Sequence, residues 1–365
     1  MSQNRSKNRS FLPGIHAFRG LAALLVVMHH GYRSLNHHWE VTPVSEWFIG
    51  GAAGVQFFFV LSGFIIYYIH SKDSPTKSQA GRFLKKRLVR IYPIYWVVLF
   101  PVLGLLFIQS SFVPELERSV SMVVKNVLLL PSSPRVIAVA WTLSHEMLFY
   151  LAFLLFFYVF RSLKTSMAIW GLIILTYQYY IREVGDGSYF LDFVLNLNNL
   201  YFFFGILSYD LYSKMKKRLG GQEYLSSHVG LGLVGLAGFI MVLGWSSSQG
   251  FVRDYSSWSF VTERTLFALF SVSLIVSEPF IASFKFVSSS FFRILGDASY
   301  SIYLCHSLVQ TFLDKVLLKL GFQWLSSSGV FLMLIVVPVL AGIVLHYAAE
   351  KPLIRLFGKR LYKRS

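Results

Sequence analysis

The chain has 365 residues, 55% hydrophobic and 17% aromatic against 14% charged, with a formal net charge of +17. Repeated apolar stretches close to the ~20 residues that cross a bilayer point to one polytopic α-helical membrane domain without a soluble appendage. The cations gather in short segments between apolar runs, as orientation signals and anionic-lipid contacts do, so the charge argues against nucleic acid as a partner.

Residues 15–34, 47–69, 91–110, 140–160, 165–181, 191–212, 229–245, 259–279, 295–318 and 329–348 are the candidate spans, predicting an all-α membrane bundle of about ten transmembrane helices. A basic tail (1–12) precedes the membrane domain (13–350), and a second basic tail (351–365) follows it. The first apolar run lacks a small-residue cleavage site and leads straight into further spans, so it is expected to stay as an uncleaved anchor. Residues 119–130 are apolar but extend only about 18 Å as a helix, too short to cross. They carry Lys125 and are followed by Pro131 and Pro134, which predicts a re-entrant or interfacial helix. With that segment not crossing, both termini are cytoplasmic and most of the 34 Lys and Arg fall on the inner side. A spanning segment there would push the KMKKR run at 214–218 outward, against the charge rule. Cys305 is the single cysteine, so no internal disulfide forms.

Within the first run, GIHAFRGLAALLVVMHH, Arg19 and His30 are about three helical turns apart and share one face, separated by roughly 16 Å along the axis. That places a cation near one membrane surface and an imidazole deep inside, where an ionisable group is costly unless it faces a polar interior. A neutral imidazole there suits general-base chemistry. His29 lies about 100° around the helix, away from the line of Arg19. The pairs His29–His30 and His37–His38 point apart, and no acidic cluster joins them, so no metal site is expected.

Gln56 and Ser62 fall in a glycine-rich run where close helix packing explains most of the composition, with Ser62 a candidate site-lining residue. Arg87 and Arg90, three apart on one helical face, offer guanidinium forks suited to phosphate oxygens. In WTLSHEMLFY, Glu146 lies roughly 22 Å from the basic end of its span, a depth matching His30. A carboxylate beside an imidazole fixes its tautomer and stabilises the imidazolium, so Glu146 is the candidate partner of His30, with Trp141 lining the site. Asp297, Ser299, Tyr300, Ser301, Tyr303 and His306 crowd the inner half of one span, suiting a wet vestibule in part and a helix cap at Asp297 or Ser299 in part.

Together these segments resemble the acyltransferase 3 family of integral membrane O-acyltransferases, which decorate O-antigen, exopolysaccharide, Nod factors and macrolides. The carriers of the resemblance are Arg19 and His30; Gly54 to Phe64; Arg87, Arg90, Ile91 and Pro93; Trp141 to Glu146; Ser299 to His306; and Glu350-Lys351-Pro352. His16 stands where an acidic residue commonly precedes the signature arginine. The resemblance implies a multi-pass protein of the bacterial inner membrane that moves an acyl group, acetyl in the first instance, from acyl-CoA to a hydroxyl of a polysaccharide or glycolipid. His30 would be the base or a transient acyl carrier supported by Glu146. Arg19, Arg87 and Arg90 would hold the CoA head, and Ser62, Trp141, Tyr300, Tyr303 and His306 would line the site. Acyl-CoA is then a substrate and no cofactor is permanently bound; membrane lipids are partners and a homo-oligomer is compatible with the chain. The rival expectations are a proton-coupled transporter of a sugar or lipid-linked sugar, with His30 and Glu146 as a relay, and a non-catalytic partner of a polysaccharide synthase.

Overall fold

The computed structural model describes residues 11–39, 46–108, 118–184, 188–218, 221–248, 258–321 and 325–362. Residues 1–10 of the basic N-terminal tail, and Lys363 and Arg364 of the C-terminal one, lie outside them. No strand occurs among the described residues. Pro13 opens α1 (Pro13–His38) in the first turn, where its missing N–H would have no partner and its ring presets a helical φ. A 3-10 turn (Trp47–Ala53) runs into α2 (Gly54–His70), and α3 (Lys77–Ile108) carries Pro93 and Pro101 within it. After the short α4 (Val120–Val127) come α5 (Trp141–Phe153), prolonged by a π turn at Leu154–Val159, and α6 (Leu163–Val184). The chain continues through α7 (Tyr189–Val194), α8 (Asn198–Arg218), α9 (Gly221–Ser248), α10 (Trp258–Val276) and α11 (Glu278–Ile281). It ends with α12 (Ser290–Lys319) and α13 (Ser327–Leu345), which passes through a π turn at His346–Glu350 into α14 (Lys351–Tyr362).

Six helical segments among the described residues are long and apolar enough to cross a membrane: Trp47–His70, Lys77–Ile108, Ala138–Val159, Tyr189–Arg218, Ser226–Ser248 and Ser327–Gly358. The other four expected spans, 15–34, 165–181, 259–279 and 295–318, are helical but outside that set. For α1 and α12 the reason is physical. They pack along each other, with α13 against both, and spend their inward faces on polar side chains that line cavities. Asp297 and Ser299 stand inside α12, which begins at Ser290, so neither caps it; Ser299 Oγ instead donates to the Gly296 carbonyl at 2.8 Å.

Close approach of helices depends on missing side chains. Where α2 crosses α8, a Cβ on Gly63 would overlap the carbonyl oxygen of Phe202, and one on Gly205 that of Val60. Without a hydrophobic force between helices in lipid, such backbone-to-backbone packing is what holds them together.

The short helix α4 is held from within. Ser119 caps its start, accepting from the Met122 N–H at 3.1 Å. At its other end α3 supplies donors to the last carbonyls of the helix: Tyr95 Oη to Asn126 (2.8 Å), Trp96 Nε1 to Val127 (3.0 Å) and Tyr92 Oη to Leu128 (2.9 Å). Those donors lie roughly three turns before Ile108, so α4 is tied against the middle of the described part of α3. The returning strand of chain is pinned too. Asn126 Oδ1 accepts from the Val136 N–H at 3.0 Å, and Ser144 Oγ donates to the Leu129 carbonyl at 2.6 Å. Irregular backbone at such depth is tolerated only when protein satisfies it or a polar space adjoins it.

Candidate active site

Two cavities lie along the axis of the bundle, one above the other. The first, about 130 Å³, opens among arginines: Arg19 of α1, Arg87 and Arg90 of α3, with Ser62 of α2, Glu146 and Tyr150 of α5, and Tyr300 of α12. Glu146 accepts a short hydrogen bond from Tyr150 Oη one turn along the same helix. Arg87 is buried and held in place by a chain of contacts. Its Nη2 donates to His70 Nε2 at 3.1 Å, so the ring proton belongs on Nδ1, which faces Asp73 Oδ2 at 2.6 Å. Tyr158 Oη donates to the same carboxylate oxygen at 3.0 Å, and the guanidinium lies over the rings of Phe83 and Tyr150 at 5.5 and 5.8 Å. Beside this cavity, Glu350 of the second π turn accepts from Ser301 Oγ and pairs with His346 Nδ1, both at 2.7 Å. A π turn bulges one residue out of register, and here it brings a buried carboxylate within electrostatic reach of Arg19 and Arg90.

The second cavity, about 530 Å³, is lined by His29, His30 and Arg33 of α1, Gln56 of α2, Trp141 of α5, Gln178 of α6, Asn198 and Tyr201 of α8 and Arg264 of α10, with Asn196 from the turn before α8. The His30 ring lies 5.3 Å from that of His29 and 5.1 Å from that of His306. His29 Nδ1 is 2.7 Å from the Ile49 carbonyl and His306 Nδ1 is 2.7 Å from the Tyr303 carbonyl, so each donates there and keeps Nε2 as its free-electron-pair nitrogen. No described residue hydrogen-bonds the His30 ring, which faces the cavity. Arg264 Nη1 donates to Gln56 Oε1 at 3.0 Å across the wall.

Val55 and Tyr303 line both cavities and form the partition. Tyr303 Oη and Thr142 Oγ1 are hydrogen-bonded at 2.9 Å, which ties α12 to α5 at the level where the arginine space ends and the histidine space begins. Residue order along the helices follows that axis. Tyr300, Tyr303 and His306 pass from one cavity through the partition to the ring of His30, while α5 runs the other way from Trp141 to Glu146.

Of the residues singled out in the sequence, Arg19, Ser62, Arg87, Arg90, Glu146 and Tyr300 meet in the first cavity and His30 and Trp141 in the second, with Tyr303 between and His306 against the His30 ring. Glu146 and His30 line different cavities, and the ring neighbours of His30 are two histidines. Three expectations need correcting. His29 shares the cavity with His30, because the 3-10 turn at Trp47–Ala53 packs on α1 and turns the wall towards both. Gln56 is a cavity residue bonded to Arg264 and not only a packing neighbour. His306 belongs to the His30 level and not to an inner vestibule. Arg33 and Arg264 were missed. Arg33 stands three residues beyond His30, on its face, and Arg264 is an arginine inside a candidate span, so both carried a signal. The amides of Asn196, Asn198 and Gln178 carried none, since loop and helix meet only in three dimensions.

Comparison with known proteins places the chain in a family. A family model described as an acyltransferase domain matches residues 12–347. The chain is 26% identical over 342 residues to "Exopolysaccharide production protein ExoZ" of Rhizobium meliloti (strain 1021), covering 90% of this chain and 95% of that one. It is also 26% identical over 330 residues to "Putative acetyltransferase ORF330" of Acidianus two-tailed virus, covering 87% and 89%. No solved structure matches. With a family match across nearly its whole length and helices fit to cross a membrane, the chain belongs to the acyltransferase 3 family of membrane acyltransferases.

Proposed function

We propose that the protein moves an acetyl group from cytoplasmic acyl-CoA to a hydroxyl of a surface or exported polysaccharide or glycolipid, in the bacterial inner membrane. The observation that carries this reading is the pair of adjoining cavities that share Tyr303 and Val55 as walls, with Arg19, Arg87 and Arg90 clustered in one and His29 and His30, beside Arg33 and Arg264, in the other. Arg19, Arg87 and Arg90 suit the phosphates of the CoA head, and the acyl-bearing arm would pass the partition towards His30. There the imidazole takes the proton of the acceptor hydroxyl as its oxygen attacks the thioester carbonyl; the C–S bond breaks and CoA leaves as the thiol after reprotonation. The similarity to an exopolysaccharide production protein supports a glycan acceptor.

Glu146, among the arginines and bonded to Tyr150, fits a role in ordering the arginine cavity better than direct contact with His30. The test is purified protein with acetyl-labelled acetyl-CoA and a glycan extract. Label appearing on the glycan with stoichiometric CoA release supports the reading. Glycan crossing a vesicle membrane under a proton gradient, with no CoA released, would replace it with transport.

A further inference from the structure

His306 stands inside α12 between apolar neighbours, Cys305 on one side and Leu308 beyond Ser307 on the other. An imidazole has two nitrogens, and burying one without a partner is costly. The residue is fully buried, at 0% exposure. One nitrogen is satisfied: Nδ1 donates to the Tyr303 carbonyl, one turn back, at 2.7 Å. That bond fixes the neutral tautomer and leaves a lone pair on Nε2. Nε2 is buried and has no hydrogen-bond partner among the described residues. Such acceptors are rare in folded proteins, and a retained one points to a donor that arrives during the reaction.

The aromatic rings nearest to His306 belong to Tyr303, at 5.7 Å, and His30, at 5.1 Å with the planes tilted by 55°. Tyr303 is not the donor. Thr142 Oγ1 gives its own proton to the Val139 carbonyl at 2.9 Å, so Tyr303 Oη donates to Thr142. His30 is left as the neighbouring ring with an N–H that can turn. Centroids 5.1 Å apart close to an N–H···N contact of roughly 3 Å when the facing nitrogens swing towards each other. His29 is placed otherwise: its ring lies 5.3 Å from that of His30, but it lines the histidine cavity, whereas His306 lines neither central cavity.

The position of the protons gives His306 a task. In the transferase reading, on which this inference rests, His30 takes the proton of the acceptor hydroxyl on its cavity-facing nitrogen. To be a base there it must hold its own proton on the other nitrogen, and after the transfer it is an imidazolium with two N–H groups. We propose that His306 is the positioning residue of His30, its Nε2 lone pair receiving the second N–H of His30 as the imidazolium forms. Two facing lone pairs would repel, so the same atom selects the His30 tautomer at rest. No proton passes between the rings: the acceptor O–H bond breaks as the His30 N–H bond forms, and His306 stays neutral. A partner unmet at rest and met in the transition state lowers the barrier without tightening the resting complex. Glu146, the carboxylate that the sequence suggested for this task, lines the other cavity.

The experiment compares two variants of the full-length protein that separate ring packing from the lone pair. His306→Phe keeps a ring and removes the acceptor, whereas His306→Gln loses the ring and returns an acceptor oxygen at similar reach. CoA release from acetyl-CoA with a glycan extract is followed at varied donor concentration. His306→Phe is expected to lower kcat about 10- to 100-fold with the KM for acetyl-CoA nearly unchanged, the loss of one hydrogen bond to a charged group. His306→Gln is expected to recover several-fold of that loss. Wild-type kcat in His306→Phe, an equal loss in both variants, or a loss confined to KM overturns the proposal. Should His306→Phe not elute as folded protein, His306→Met, apolar and of similar length, takes its place with the same ordering expected. A second readout needs no acetyl-CoA. In protein labelled with nitrogen-15 at histidine, the His30 resonances are identified by their loss in His30→Ala. They should report one dominant tautomer in the wild type and a mixture in His306→Phe, and equal populations in the two proteins overturn the proposal. Absent CoA release by the wild type would sink the transferase reading alone, because the tautomer measurement still decides whether the two rings are paired.

Discussion

His30 projects into a 530 Å³ cavity flanked by two other imidazoles, and the charge state of that trio is what acyl transfer would draw on. His30→Ala is expected to lower glycan acetylation by about 10²-fold or more while the protein still elutes as a folded species. Undiminished transfer would remove His30 from the chemistry. In the arginine cavity the expectation differs in kind. Arg19→Ala and Arg90→Ala should raise the KM for acetyl-CoA about tenfold with a smaller change in kcat, the signature of lost ground-state binding, measured by CoA release at varied donor concentration. Neutralising Lys77, outside the cavity lining, should change neither. Arg87 depends in part on His70, which does not line the cavity. His70→Ala leaves its Nη2 without a partner, a loss of about 1–3 kcal/mol, so KM should rise by several-fold with kcat nearly kept. A parallel loss of kcat would mean that His70 supports the fold more broadly than through Arg87.

Helix positions were legible from hydropathy because apolar runs of the right length have few alternatives in a bilayer. The character of each helix was less so. The expectation that 119–130 does not cross follows from its length, and the Tyr95, Trp96 and Tyr92 donors give the reason it stays folded. Those donors sit some thirty residues earlier and cannot be paired with α4 from the sequence. The α2–α8 crossing makes a test at this scale. Gly63→Ala or Gly205→Ala forces two backbones apart and should cost about 1–3 kcal/mol, seen as a lower thermal midpoint in detergent. Gly104→Ala, with nothing near the new Cβ, should leave the midpoint unchanged.

For the whole molecule, the charge distribution predicts both ends on the cytoplasmic side. A reporter that fluoresces only in the cytosol should therefore light up when fused at either end, whereas a phosphatase active only outside should work when inserted at 249–251. Opposite signals at the two ends would mean an odd number of crossings and a different helix count.

Composition alone determined that this chain is an all-helical membrane protein, and the spacing of Arg19, His30, Arg87, Arg90 and Glu146 picked out side chains that line its two central cavities. Period and length survive in one dimension because each helix solves its own backbone hydrogen bonding. Tertiary structure decided which of those residues meet. It set Glu146 among the arginines and gave His30 two histidine neighbours, and it brought Arg264 and the Asn196 turn to a shared wall. Such contacts depend on how each helix is rotated and how deep it sits, which packing against its neighbours settles and no single segment encodes.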